Sequence, residues 1–153
     1  CFRIGELLPH SRNLSETVVQ RHAVTFHRDH NSLTLLVIRL THSKTVKPGT
    51  DQLVKIKAEQ IVCPVQALSR YLQPHGACKG PLFIAHNGQP LTLHVLMLNF
   101  MQLIKRDPKA FRGHSFRIGR CSEEAASGKS DAQLRALGRW SSDAFKRYSR
   151  LYR

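Results

Sequence analysis

Six side chains in this sequence have types and an order that suit chemistry on a phosphate. In the last third the chain reads Phe111-Arg-Gly-His114-Ser-Phe-Arg117, then Gly138-Arg-Trp140, then Tyr148. Arg3 near the start and Lys44 further on complete the set. Guanidinium forks bind phosphate oxygens in bidentate fashion, so Arg3 and Arg117 suit the non-bridging oxygens of a phosphodiester. Trp140 can donate only through its indole N–H, and His114 can donate or exchange a proton. A phenol is a weak nucleophile at neutral pH, and neighbouring guanidinium groups favour its phenolate. Tyr148 is then the attacking group. An ammonium group such as that of Lys44 suits protonation of a departing oxygen. Donors fixed on developing charge are usually the largest catalytic term.

Each of these residues has a plainer reading too. His114 and Arg117 stand three apart and project to one face of a helix start; a lone His-x-x-Arg is usually a surface pair on a basic helix. A single Trp in a small domain is usually packing, and Tyr71 reads as core. Tyr152 lies one helical turn after Tyr148 and competes with it as nucleophile. Among nine histidines only His27 and His30 are locally paired. They fall at a turn, without Cys or acidic ligands at zinc-like spacing, so a surface pair is expected and no metal site is assigned. Glu123 and Glu124 are adjacent and would face different ways on a helix, which argues against a paired-carboxylate hydrolase.

The elements that must position these residues belong to one domain. At 153 residues and 41% apolar composition the chain can bury a real core. It holds 24 Lys and Arg against 10 Asp and Glu, a formal net charge of +14, and a polyanion is the natural partner of such a surface. Residues 105–153 carry 13 basic and 5 acidic side chains, a larger excess than either preceding third. The charge therefore concentrates where the candidate chemistry lies. Cys1, Cys63, Cys78 and Cys121 form no Cys-x-x-Cys pair and no disulfide rhythm, which favours a reduced intracellular compartment, the nucleus if the host is eukaryotic. The longest apolar runs, 33–38 and 93–101, are broken by Thr34, His94 and Asn99 and are too short to span a bilayer. The chain begins at Cys1 rather than Met and is expected to be a fragment.

Patterning predicts a mixed, mostly helical domain with a small sheet near its front. Residues 3–8 read as the end of a helix stopped by Pro9. Residues 23–26, 33–41 and 52–56 are rich in β-branched and apolar types, separated by turn-forming stretches at 29–32 and 46–51, and predict three antiparallel strands. Helices are expected over 64–72, with Pro64 in the first turn, and over 92–104, apolar on most sides and so substantially buried. Residues 82–85 form a short apolar run ended by a turn at 86–90. A further helix should span 115–127 and stop at Gly128. Ser130-x-x-Gln133 is a capping-box pattern for a short helix ending at Gly138. The last helix is expected to begin near Ser141 or Ser142 and to contain Tyr148.

With these motifs in place, nearly the whole chain resembles the catalytic domain of the tyrosine recombinase (phage integrase) family. The likeness lies in a His-x-x-Arg helix, a short helix, Leu137-Gly138-Arg139-Trp140 and then Tyr148. The stretch from Gly138 to Tyr148 looks most like the versions in eukaryotic mobile elements, namely DIRS-type retroelements and cryptons. The resemblance implies an α+β catalytic domain with a three-stranded antiparallel sheet. It implies Arg3 as first catalytic arginine in Arg3-Ile-Gly-Glu6-Leu7, with Glu6 as supporting carboxylate. It implies the hairpin lysine as Lys44, with Lys47 as the alternative, and Tyr148 as nucleophile, nearer the family's spacing than Tyr152. Arg112, Arg120 and Arg139 are expected to contact DNA. The implied product is a 3′-phosphotyrosyl enzyme and a free 5′ hydroxyl, formed on double-stranded DNA and reversible, so no metal or nucleotide cofactor is expected. The partner is DNA, with self-association on it, and no membrane. The sequence is expected to correspond to the catalytic half alone, without the family's N-terminal core-binding domain. A non-catalytic DNA-binding module derived from a mobile-element recombinase, or a type IB topoisomerase-like activity, are the alternatives.

Overall fold

The computed structural model describes residues 1–41, 43, 49–74, 79–105 and 111–149, the side chains of Leu14 and Ser149 excepted. Among these residues the fold is α+β, with six α-helices and one three-stranded antiparallel sheet in the order β1-β2-β3. The chain divides into two compact units, Glu6–Leu91 and a second made of Cys1–Gly5 with Thr92–Arg153. The division falls inside the first helix, α1 (Ile4–Leu7).

In the unit Glu6–Leu91, β1 (Val24–Asp29), β2 (Ser32–Leu40) and β3 (Gln52–Lys57) form a meander. Strand side chains alternate between faces. The register Val24↔Ile38↔Val54 and Phe26↔Leu36↔Ile56 therefore puts the apolar residues on one side. Leu36, Ile38 and Leu40 are buried there. Helix α2 (Pro64–Leu72) supplies Val65 and Leu68 to the same core and packs on β2 and β3. Lys55 and Lys57 point to the opposite, exposed face. Leu82 hydrogen-bonds back to Val19, and Tyr71 receives the Ile84 N–H on its hydroxyl at 2.8 Å. The run 82–85 makes only isolated bridges, Gln20↔Pro81 and Ile84↔Pro90, around a turn closed by Gly88.

The second unit holds α3 (Leu93–Ile104), α4 (Ser115–Ala126), α5 (Asp131–Gly138) and α6 (Lys146–Ser149). Thr92 caps α3 by accepting the Val95 N–H. Ser130 and Gln133 form a complete capping box at α5. Gly128, at φ +85°, ends the turn after α4, where a side chain would be strained. Cys121, Leu134 and Phe145 make a buried cluster, with Ala125, Trp140 and Tyr148 packed against it.

Two expectations need correction. Helix α3 forms where predicted, but Met101 is its one buried residue, and Leu98 and Leu103 are 49% and 80% exposed. A helix apolar on all sides offers more surface than one packed face can cover. Composition sets how much a side chain gains from burial, and only the neighbours decide whether it is buried. The last helix also starts later than expected. Ser142 leads into a 3-10 turn, Asp143–Phe145, and α6 follows from Lys146. Asp143 binds Arg135 of α5 and Lys146, and the fully buried Phe145 faces inward. These side-chain demands hold the segment in a tighter turn than an α-helix would give.

Candidate functional site

The candidate site assembles where α4 begins. His114 is the N-cap of α4, and its carbonyl accepts the N–H groups of Arg117 and Ile118. This places His114 one turn below Arg117 on the same face. The two differ in surroundings: the His114 side chain is exposed, while Arg117 is only 5% exposed. Burying a cation demands partners. The Arg117 guanidinium meets two of them, donating Nη2–H to the Gly138 carbonyl and lying 4.3 Å above the centroid of the Trp140 ring. A guanidinium over an indole face is a favourable electrostatic contact.

Trp140 is reached by a left-handed turn. Arg139 ends α5 at φ +53°, and the Trp140 N–H closes on the Arg135 carbonyl. The indole then folds back over Gly138, so that a Cβ there would overlap its ring. The sequence offers Trp140 as an N–H donor or as a packing residue, and in the structure its ring packs, serving as a platform for the Arg117 guanidinium. The ring packs in tilted contacts, its centroid 6.1 Å from that of Phe145 and 5.7 Å from that of Tyr148. Tyr148 lies on α6 with its ring 6.5 Å from that of His114, edge to face. Four of the residues singled out by chemistry, His114, Arg117, Trp140 and Tyr148, thus stand in one contiguous group.

Arg3 belongs to the same compact unit, and its neighbours on either side are held. The Arg139 guanidinium lies 5.5 Å from the Phe2 ring and donates to the Cys1 carbonyl at 3.4 Å. Ile4 packs against Gly113, where an added Cβ would come within 2.7 Å of its methyl. The segment bearing Arg3 therefore runs from the end of α5 to the residue before His114.

No family model, curated protein or solved structure matches the chain.

The other candidate residues are placed as follows. Glu6, in the first-described unit, is buried, and its carboxylate accepts the Ser43 hydroxyl at 2.9 Å. This ties down the residue preceding Lys44. Lys44, Lys47 and Tyr152 lie outside the described residues. Arg112 is exposed, with its N–H on the Ser115 hydroxyl. Arg120 is bound by Glu123 at 3.1 Å and by the buried Glu124 at 2.6 Å. Glu124 also holds Lys129; Glu123 is exposed and Glu124 buried, yet contrary to expectation both carboxylates reach the one Arg120 guanidinium. His27 and His30 are both exposed, and no group of three or more His, Cys, Asp or Glu that could hold a metal ion occurs among the described residues. No described helix is long and apolar enough to cross a membrane.

Two titratable groups around the site are shifted. Burial pushes the Cys121 thiol up, with Arg117 opposing, which keeps this core cysteine in its neutral form. The hydrogen bond from Lys146 and the charge of Arg135 hold the Asp143 carboxyl below its ordinary value. Asp143 is exposed, so it contributes as a clasp between α5 and the start of α6 rather than as a reacting group.

Gly138 makes the packing testable. Gly138→Ala should drive the indole off its seat and strip the buried guanidinium of its aromatic partner. We expect a loss of roughly 1–3 kcal/mol, the usual cost of overpacking. Urea unfolding followed through Trp140, the single tryptophan, measures it.

Proposed function

We propose that this chain is a DNA strand-breaking and rejoining domain of the tyrosine recombinase type. The observation that carries the reading is the contiguous group in which His114 and Trp140 adjoin the Tyr148 ring and Arg117 lies on the Trp140 ring. In the proposed reaction the Tyr148 oxygen attacks a backbone phosphorus, and its proton is exchanged with the His114 imidazole or solvent. The bond from phosphorus to the 5′ oxygen breaks, and Lys44 protonates that oxygen. The DNA 3′ end stays on the enzyme as a phosphotyrosine. Arg3 and Arg117 bind the non-bridging oxygens as charge develops on them. Rejoining runs the same steps backwards with a 5′ hydroxyl as nucleophile. A type IB topoisomerase would share this chemistry without exchanging partners.

The test is covalent trapping. Nicked duplexes drawn from a randomised-sequence pool, in which the departing strand can diffuse away, should accumulate a protein–DNA adduct. A chain that binds these duplexes and forms no adduct is the non-catalytic module instead.

Charge predicts a second outcome. Phosphate contacts release counterions, so affinity should fall steeply with salt, with a slope of about −0.9 per neutralised phosphate on duplex DNA. Arg112→Ala should weaken binding more than Arg120→Ala, because the Arg120 guanidinium is already engaged by two carboxylates. Titrations at several salt concentrations compare the variants. Salt-independent binding would remove the polyanion from the account.

A further inference from the structure

Helix α6 is described over Lys146–Ser149 and carries Tyr148. The first turn of a helix has N–H groups without an intrahelical partner. The placement of this turn therefore depends on what it is attached to. One anchor is apolar: Phe145, fully buried beside Cys121 and Leu134, precedes it directly. That anchor fixes where the segment enters, and the Tyr148 ring packs against Trp140 and His114 beyond it, but ring contacts of this kind do not fix direction as a hydrogen bond does.

The second anchor is polar and falls on the nucleophile residue itself. Ser122 of α4 is 4% exposed and donates its hydroxyl to the Tyr148 carbonyl at 2.8 Å, an ideal length for such a bond. Ser122 lies five residues beyond Arg117 on one continuous helix, about 7.5 Å along its axis at 1.5 Å per residue. The guanidinium and the tyrosine carbonyl are thus referenced to the same rigid rod. A buried hydroxyl among apolar neighbours costs free energy unless it is bonded, so its bond is specific and directional where methyl packing would tolerate sliding.

We propose that Ser122 is a positioning residue that sets the reach of the Tyr148 phenol toward a phosphate held by Arg117. This rests on the reading of Tyr148 as nucleophile. The bond acts on orientation, since Ser122 touches neither substrate nor the reacting atoms. Misplacing a reacting group by about 1 Å can cost up to ~10²-fold in rate. Loss of the hydroxyl should therefore slow the covalent step without changing DNA affinity.

The experiment measures adduct formation at saturating nicked-duplex pool, DNA affinity at the same salt, and Trp140 emission, for wild type, Ser122→Ala, Ser122→Thr and Ser122→Val. The Trp140 indole lies 5.7 Å from the Tyr148 ring, so its emission reports the seating of α6 whether or not catalysis occurs. Ser122→Ala should form adduct about tenfold more slowly, with DNA affinity within about twofold of wild type and altered Trp140 emission. Thr and Val have the same shape, and only Thr carries the hydroxyl, so Thr should be faster than Val by a similar factor even if both strain the core. An active wild type with Ser122→Ala at wild-type rate, or with Thr and Val equal, overturns the role of Ser122 and leaves the nucleophile assignment standing. A wild type that binds DNA without forming adduct overturns the catalytic reading on which the proposal rests. In that case unchanged Trp140 emission in Ser122→Ala would show that the hydroxyl does not seat α6 at all.

Discussion

Tyr148→Phe should bind DNA about as tightly as wild type and form no covalent adduct. The substitution removes one oxygen and no charge, so the salt-dependent part of binding is retained. The ring itself should stay in place. Tyr148 packs by its ring against Trp140 and His114, and the hydrogen bond from Ser122 goes to its backbone carbonyl. Removing the hydroxyl therefore deletes the nucleophile and leaves its seat. Peptide mapping of the wild-type adduct should place DNA on the fragment spanning residues 144–148, attached through the 3′ end of the cut strand. Tyr152→Phe should still form it. An adduct mapping to Tyr152 would move the nucleophile by four residues in the sequence and keep the mechanism. Adduct formation by a variant carrying both Tyr148→Phe and Tyr152→Phe would discard these two tyrosines as nucleophile.

The parts of the fold written in local signals were legible in the sequence. Pro64 in its first turn and the spacing of Val65 and Leu68 define α2 with the bounds observed. The Ser130–Gln133 pair forms the capping box that its spacing describes, because each half satisfies a donor left open at a helix start. The three strands follow their β-branched runs to within a few residues. The site was legible as a list of residue types and not as a geometry. His114 and Arg117 share a helix face by spacing alone. That Arg117 is buried and Trp140 is a platform depends on Gly138, whose missing side chain makes room for the indole. A lone glycine at a helix end reads as a stop signal, and its second role appears only once the chain turns back at Arg139. Ser122 was missed for a related reason. One small polar residue beside Cys121 on a packed helix face is the available hint, and its partner lies 26 residues away in a segment whose helical bounds the sequence set too early. The exposure of α3 was misjudged because hydropathy does not reveal how many neighbours a helix has.

Arg117→Lys should keep the charge and still cost about 10²–10³-fold in the covalent step, the scale observed when one fixed donor to developing charge is removed. Three features of the site lead to this expectation. The guanidinium is planar and presents several N–H donors in a fixed fork, one of which goes to the Gly138 carbonyl. Its flat face fits the Trp140 ring at 4.3 Å. Its environment is closed to water, where an ammonium, more strongly hydrated, is disfavoured. Lysine has one nitrogen for all these tasks, so it can satisfy the Gly138 carbonyl or the phosphate in good geometry and not both. DNA affinity should change little, because the net charge is retained. Urea unfolding followed through Trp140 separates this effect from a loss of folding. A substrate with sulfur in place of the 5′-bridging oxygen gives a sharper distinction. Sulfur leaves without needing a proton, so it should rescue Lys44→Ala, whose proposed role is to supply that proton, and should leave Arg117→Lys slow. Rescue of Lys47→Ala in place of Lys44→Ala would shift the general acid by three residues. Rescue of Arg117→Lys would mean that Arg117 acts on the leaving oxygen, and the assignment of its fork to the non-bridging oxygens would have to be given up.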